Sequence, residues 1–303
     1  VTATVLGSLK RKINPMASDL GIYILGGKGK YGWNTPQQVR RVSNRHSLKG
    51  DELVKASQLT RRVDNNAIQD GYNLYQQYFI LSDEGEWTGI TQGMNTRNRR
   101  ARRYHWHSPT VRSFVSDPHT AIVGERGGPI LNLADSRADF ARTNIVNLTK
   151  EKPTEVLDTY RSTSLPDHHD VRENDVNMKR LGAVLQMAYN SEINNFEDLL
   201  MLKGVGPRTL KALALTSEVI HGDASRFEDP SRFSFAVGGK DGRPHPVDTE
   251  SYDKTIEMLQ DSVEKAKLGY KDKSKALKRL HTATKDVESR YTPTAFLKDI
   301  LDI

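Results

Sequence analysis

Two acidic residues, Asp64 and Asp70, stand just ahead of a run of alternating apolar and polar residues and are followed by Gln92, Asn95 and His105. Side chains of these types supply the oxygen donors that hard divalent cations such as Mg2+ and Mn2+ select. A pair of such ions clamps the attacking and leaving oxygens of a phosphoryl displacement. The set Asp64, Asp70, Gln92, Asn95 and His105 is therefore the candidate catalytic group of a metal-dependent nuclease, with Asp64 and Asp70 as its metal ligands. A spacing of six does not bring two residues onto one face of a continuous helix, so gathering them requires a break after Ile68. No recognised nuclease spacing surrounds them. The same Asp, Asn and Gly residues also suit the turn where a helix gives way to a strand.

A sharper local pattern lies in 196–221. Leu199 and Leu202 mark the buried face of a first short helix, and Leu210, Leu213 and Ala214 that of a second. Between them, Gly204 and Gly206 permit a tight turn and a close approach of backbone to a ligand. Val205 plugs the gap between the helices, and Pro207 opens the second one where its missing N–H costs nothing. Free amides at such a helix start, with the helix dipole, favour a phosphate. The segment Leu202-Lys203-Gly204-Val205-Gly206 resembles the helix-hairpin-helix motif of repair proteins, a Leu-x-Gly-Val-Gly turn followed by a short helix. The resemblance implies a grip on backbone phosphates, without sequence readout, by Lys203, Gly204, Val205, Gly206, Arg208, Thr209 and Lys211. The glycosylase branch of that motif also carries a downstream catalytic Asp. Asp223 and Asp229 have suitable spacing but unlike surroundings, and Val247-Asp248-Thr249 lies too far downstream. Arg208 occupies the position of the Schiff-base Lys, and an Arg cannot be deprotonated to attack a sugar carbon. Base excision is therefore the minority reading.

The strongest charge feature is Arg97, Arg99, Arg100, Arg102 and Arg103, in a stretch with no acidic residue between Glu86 and Asp117. Tyr104, Trp106, His105, His107 and His119 accompany it. Arginines interleaved with aromatics suit a phosphate backbone and stacked bases; the alternative is a solvated basic loop. Lys28 and Lys30, in Gly26-Gly27-Lys28-Gly29-Lys30, add a second basic loop, without the spacing of a nucleotide-binding P-loop. His168-His169, flanked by Asp167 and Asp170, have metal-ligating side chains, although a capped turn explains them better.

These residues need elements to position them. Hydrophobic spacing predicts a helix over 1–13, a strand over 20–25 closed by Gly26-Gly27, a helix from an N-capping Thr35 with Pro36 at its first position, and a helix over 50–68. A β-hairpin over 72–93 turns at Ser82-Asp83-Glu84-Gly85, and short strands follow near 102–106, 121–124 and 129–133. Helices are expected over 135–148, 153–161, 174–190, 195–202, 207–221, 250–268 and 273–287, with an irregular segment from 222 to 249. The predicted class is α+β: a mixed α/β domain over 1–150, carrying any chemistry, and a helical domain over 151–303 carrying the hairpin motif. With 303 residues, a formal net charge of +7 and no cysteine, the chain excludes disulfide and thiolate chemistry and favours polyanionic partners. The lack of a long apolar run argues against a membrane span, and a cytoplasmic location is expected.

Several further segments resemble an uncharacterised, mostly archaeal prokaryotic family, domain of unknown function 763. They include Asp64-Asn65-Asn66-Ala67-Ile68-Gln69-Asp70-Gly71-Tyr72, Gln92-Gly93-Met94-Asn95, Ala101-Arg102-Arg103-Tyr104-His105-Trp106 and Leu165-Pro166-Asp167-His168-His169. The similarity covers nearly the whole chain, short of an N-terminal piece, and implies one architecture without an established activity. The resulting expectation is a nucleic-acid-binding protein with a repair or processing role, DNA being favoured over RNA. Its alternatives are a Mg2+- or Mn2+-dependent nuclease, a non-catalytic scaffold and a glycosylase-like enzyme.

Overall fold

The computed structural model describes residues 2–162, 178–231 and 269–290, with Glu257, Asp261, Glu264 and Lys265 ahead of the last stretch. The class is α+β, as expected. Five strands, β1 (Ile22–Lys28), β3 (Asn73–Ser82), β4 (Trp87–Asn95), β5 (Arg100–His107) and β6 (Ala121–Val123), form an antiparallel sheet in the order β1-β3-β4-β5-β6. Tyr, Phe, Ile and Leu dominate β3, as befits a half-buried pleated surface, and Gly85, at φ +94°, supplies the left-handed residue of its turn.

Alternation divides the sheet into two faces. Tyr23, Leu25, Phe79, Leu81, Trp87, Tyr104 and Trp106 point into the main core, beneath α4 (Thr35–Arg45) and α5 (Gly50–Arg62). Val39, Val42, Leu53, Ala56 and Leu59 supply the helical side of that core. On the opposite face Ile24 and Tyr78 pack with Leu6 of α1 (Thr2–Ile13). Cross-strand pairing of Tyr78 with Ile90, Ile90 with His105, Gln76 with Gln92 and Gln92 with Arg103 sets those residues on the α1 face.

After α5 the chain makes a π-helical turn, Val63–Ala67, and enters β2 (Ile68–Gln69). With β7 (Pro129–Asn132) and β8 (Arg226–Glu228), β2 forms a second, three-stranded sheet. Helices α6 (Asp139–Leu148), α7 (Pro153–Ser162), α8 (Met178–Tyr189), α9 (Phe196–Met201) and α10 (Pro207–His221) follow. Ile145, Leu185, Leu199, Leu200, Leu210 and Leu213 from these helices share the core of the first sheet. The chain accordingly falls into two compact units, 1–234 and 235–303, and the division expected at 150 lies inside the first. In the second unit α11 (Tyr270–Arg290) covers the helix expected over 273–287.

Local expectations also need correction. β1 runs on through Gly26 and Gly27, which pair with Tyr78 and Gln77 instead of ending the strand. A Cβ on Gly26, at φ +82°, would meet the Gln77 carbonyl oxygen at 2.2 Å, so only glycine lets β1 and β3 approach here. Thr35 is the first residue of α4, not its cap, and its hydroxyl bonds back to the Gly32 carbonyl at 2.7 Å. The helix expected over 50–68 ends at Arg62, and the wider π turn takes over. The His168-His169 pair, and most of the helix expected over 250–268, lie outside the described residues.

Candidate nucleic-acid interface and a buried acid–base pair

The turn between α9 and α10 divides its labour between two glycines. Gly204 adopts φ +93°, a conformation that L side chains rarely reach, and a Cβ there would press on Val184 at 3.3 Å. Gly204 therefore makes the turn. Gly206 has φ −129° and ψ −178°, extended backbone open to any residue, and a Cβ there would meet nothing within 4 Å. Its bareness is not needed by the fold; it leaves space for something else to come close. Val205 is buried between the helices. Pro207 opens α10, whose first internal bond is donated by the Leu210 amide to the Gly206 carbonyl at 3.0 Å. The Arg208 and Thr209 amides precede that bond and have no helical acceptor. Thr209 is buried at its side chain, while Lys203 and Arg208 are exposed.

The turn is anchored on the α5–β2 segment. Arg62 Nη1 donates to the Leu200 carbonyl at 2.5 Å, Asn66 Nδ2 to the Val205 carbonyl at 3.3 Å and Gln69 Nε2 to the Pro207 carbonyl at 2.7 Å. The other side of that segment reaches the β4–β5 turn: a Cβ on Gly71 would meet Asn95 Nδ2 at 3.2 Å. Gln69–Gly71 thus bridges the α9–α10 turn and the turn bearing the exposed Arg97, Arg99 and Arg100.

The arginine run does not act as one patch. Arg102, only 1% exposed, lies in the core, where Nη1 bonds Asp70 at 2.8 Å and Nη2 bonds Asp229 at 2.6 Å. The two carboxylates hold its pKa above the ordinary guanidinium value against the opposing effect of burial. Arg103 points to the α1 face and bonds the Thr2 hydroxyl at 2.8 Å. Arg102 is therefore removed from the expected nucleic-acid surface, because a strand sends alternate residues inward. Lys28 and Lys30 are exposed at the far end of β1.

The five expected catalytic residues do not form one centre. Gln92 and His105 face α1. Burial, followed by the nearby Arg103 and His119, pushes the His105 pKa down to about 4, and its Nε2 is sealed without a partner. Asn95 caps its own turn, accepting from the Arg97 amide at 3.0 Å. Asp70 accepts from Arg102, from the Tyr104 hydroxyl at 2.6 Å and from the Tyr72 amide at 3.1 Å. Burial and Asp70 together push the Tyr104 hydroxyl well above its ordinary pKa, keeping it a donor. Asp64, fully buried, accepts from Thr91 Oγ1 at 2.6 Å, Trp106 Nε1 at 3.0 Å and His119 Nε2 at 2.5 Å. All four carboxylate oxygens are engaged, and Arg102 is bonded directly to Asp70. That donor set does not fit Mg2+ or Mn2+. Among the described residues no group of three or more His, Asp or Glu side chains gathers to hold a metal ion.

What Asp64 does organise is His119. Asp64 meets Nε2 of the ring, so Nδ1 is the nitrogen left to other partners. Nδ1 has no partner among the described residues, and the ring borders a cleft with Asp117, Thr120, Asn132, Ala134 and Pro230. A histidine oriented by a buried carboxylate at a cleft can take or give a proton. Trp106 holds the ring edge-on, with centroids 4.4 Å apart. The π turn that carries Asp64 also carries Asn66, so one distorted helix end supports both this pair and the α9–α10 turn; such distortions recur at functional sites. Sequence spacing held no signal for the pair, whose members lie 55 residues apart.

No helix among the described residues is long and apolar enough to cross a membrane. Comparison with curated proteins and with solved structures finds no match. One family model does match, over residues 1–247, which is most of the chain. The chain belongs to the family described as Protein of unknown function (DUF763).

Proposed function

We propose that this protein binds the phosphate backbone of nucleic acid without reading its sequence, through a helix-hairpin-helix formed by α9 and α10. The observation that carries the proposal is the open Gly206, which no neighbour requires, at the start of a helix whose Arg208 and Thr209 amides have no acceptor among the described residues. Lys203 and Arg208 flank it, and the Gln69–Gly71 bridge links it to Arg97, Arg99 and Arg100. The formal charge of +7 fits a polyanionic partner, with DNA favoured over RNA and a repair or processing role. The test is Gly206→Val. Its backbone accepts any residue, so stability should hold while affinity for duplexes of every sequence falls about tenfold or more. In the parent protein, log affinity should fall with log salt by about 0.9 per neutralised phosphate. A flat salt response, or a loss confined to some sequences, would contradict backbone recognition.

One observation favours an enzymatic version of this reading. Asp64 and His119 form an oriented acid–base pair at a cleft, on the same π turn that anchors the hairpin. On this reading the protein processes the strand it grips, with His119 Nδ1 accepting the proton. End-labelled DNA and RNA, single- and double-stranded, should give a product that His119→Gln abolishes with binding retained. Absence of product from every substrate would reduce the protein to a binding module.

A further inference from the structure

A third feature lies apart from both sites, where β1 ends. Gly29 turns the chain into α3 (Lys30–Trp33), which holds Tyr31 and Trp33 in solvent at 58% and 67% exposure. An exposed indole contributes nothing to the core, yet it is not free: the Arg61 guanidinium lies 3.2 Å from its ring centroid. Arg61 has no acidic partner among the described residues. Burial, with Arg62 close by, brings its pKa down to about 10, the mark of a cation that has lost water without gaining a counter-ion. Lys28 and Lys30 stand exposed on the same short stretch.

Between these groups lies a hollow lined by Gly29, Gly32, Trp33, Arg61, Tyr75 and Gln76. The hollow therefore sets an unneutralised guanidinium against an exposed indole. A phosphate and a flat ring on one ligand answer both, and a nucleotide carries them together.

We infer that this hollow holds one nucleotide of an unpaired strand, its phosphate on Arg61 and its base on the exposed ring of Trp33. This rests on the nucleic-acid reading only for the source of the ligand. The hollow is a second contact, independent of the α9–α10 turn, and gives the protein a use for unpaired as well as paired strands. Stacking on aromatic side chains tolerates every base, so little base preference is expected.

The protein carries its own reporter. Trp87 and Trp106 are buried, at 7% and 0% exposure, so quenching by an added ligand reports Trp33. Titration of the full chain with a nucleoside monophosphate, a nucleoside and inorganic phosphate separates base from phosphate. The nucleotide should quench, the nucleoside should need about tenfold more, and phosphate alone should compete without quenching. Affinity for a labelled oligothymidylate, read by anisotropy, should fall about tenfold in Trp33→Leu and in Arg61→Ala. In Gly206→Val the nucleotide response should persist while duplex binding is lost. No quenching by any nucleotide from a parent protein that still binds duplex would overturn the hollow and leave the hairpin reading standing. Equal affinity of Arg61→Ala and the parent would overturn it as well.

Discussion

Strand β5 and the turn leading into it place five arginines in three environments within seven residues, 97–103. Arg97, Arg99 and Arg100 sit in solvent. Arg102 is locked between Asp70 and Asp229 in the core, while Arg103 bonds Thr2 on the far face of the sheet. The inner arginine joins two distant stretches of chain, since its Nη2 also donates to the Glu125 carbonyl at 2.6 Å and Asp229 accepts from the Gly127 amide at 2.9 Å. The outer ones pair weakly or not at all; Arg100 meets the half-exposed Glu125. Similar side chains thus split between holding the fold and meeting a partner, and the pleat of the strand decides which does which.

The sharpest way to break that comparison is Arg102→Met. Removing one member of a buried ion network leaves the remaining charges uncompensated and costs about 3–5 kcal/mol. A urea midpoint should fall accordingly, while the fraction still folded binds nucleic acid with unchanged salt dependence. A variant of full stability and weaker binding would instead put Arg102 on the interface.

Next in size is an acid effect from His105, another expected site residue now found inside. Its folded pKa of about 4 lies below the ordinary histidine value of 6.5. Between those values the unfolded chain binds the proton and the folded chain does not, so stability falls as pH drops through that window. The loss should approach about 2 kcal/mol near pH 4 after allowance for partial exposure. His105→Leu should flatten this limb of the stability profile. An unchanged limb would mean that the ring meets solvent.

Much of this was legible in sequence where the cause is local. Gly204, Pro207 and the leucines around them marked the α9–α10 turn, because a left-handed residue and a helix-opening proline each have a short-range signature. The hairpin of β3 and β4 showed in its alternation. The same alternation applies to Arg102, which is in step with Tyr104 and Trp106, so a strand near 102–106 buries it with them. The rest depends on partners far along the chain. Arg102 meets Asp229 across 127 residues, and Gln69 meets Pro207 across 138. Such pairings follow from how the two sheets are joined, which spacing alone does not specify.

The smallest effect on stability, and the one that most directly sharpens the comparison, comes from the outer arginines. Arg97 and Arg99 form no ion pair among the described residues, and the exposed pair of Arg100 with Glu125 is worth about 0–1 kcal/mol. Arg99 also holds φ +56°, a conformation that favours glycine. Replacing Arg99 with glycine should therefore leave the fold as stable or slightly more so: relief of a left-handed side chain, about 1 kcal/mol, is mostly offset by glycine's greater freedom in the unfolded chain, about 0.4–1 kcal/mol. If this turn touches phosphate, the same variant should lower the magnitude of the log–log salt slope on duplex DNA by about 0.9, one phosphate's share. Stability and binding would then move in opposite directions at Arg99, whereas Arg102→Met moves stability alone. Identical salt slopes for parent and Arg99→Gly would remove the β4–β5 turn from the interface and leave Lys203, Gly206 and Arg208 to account for it.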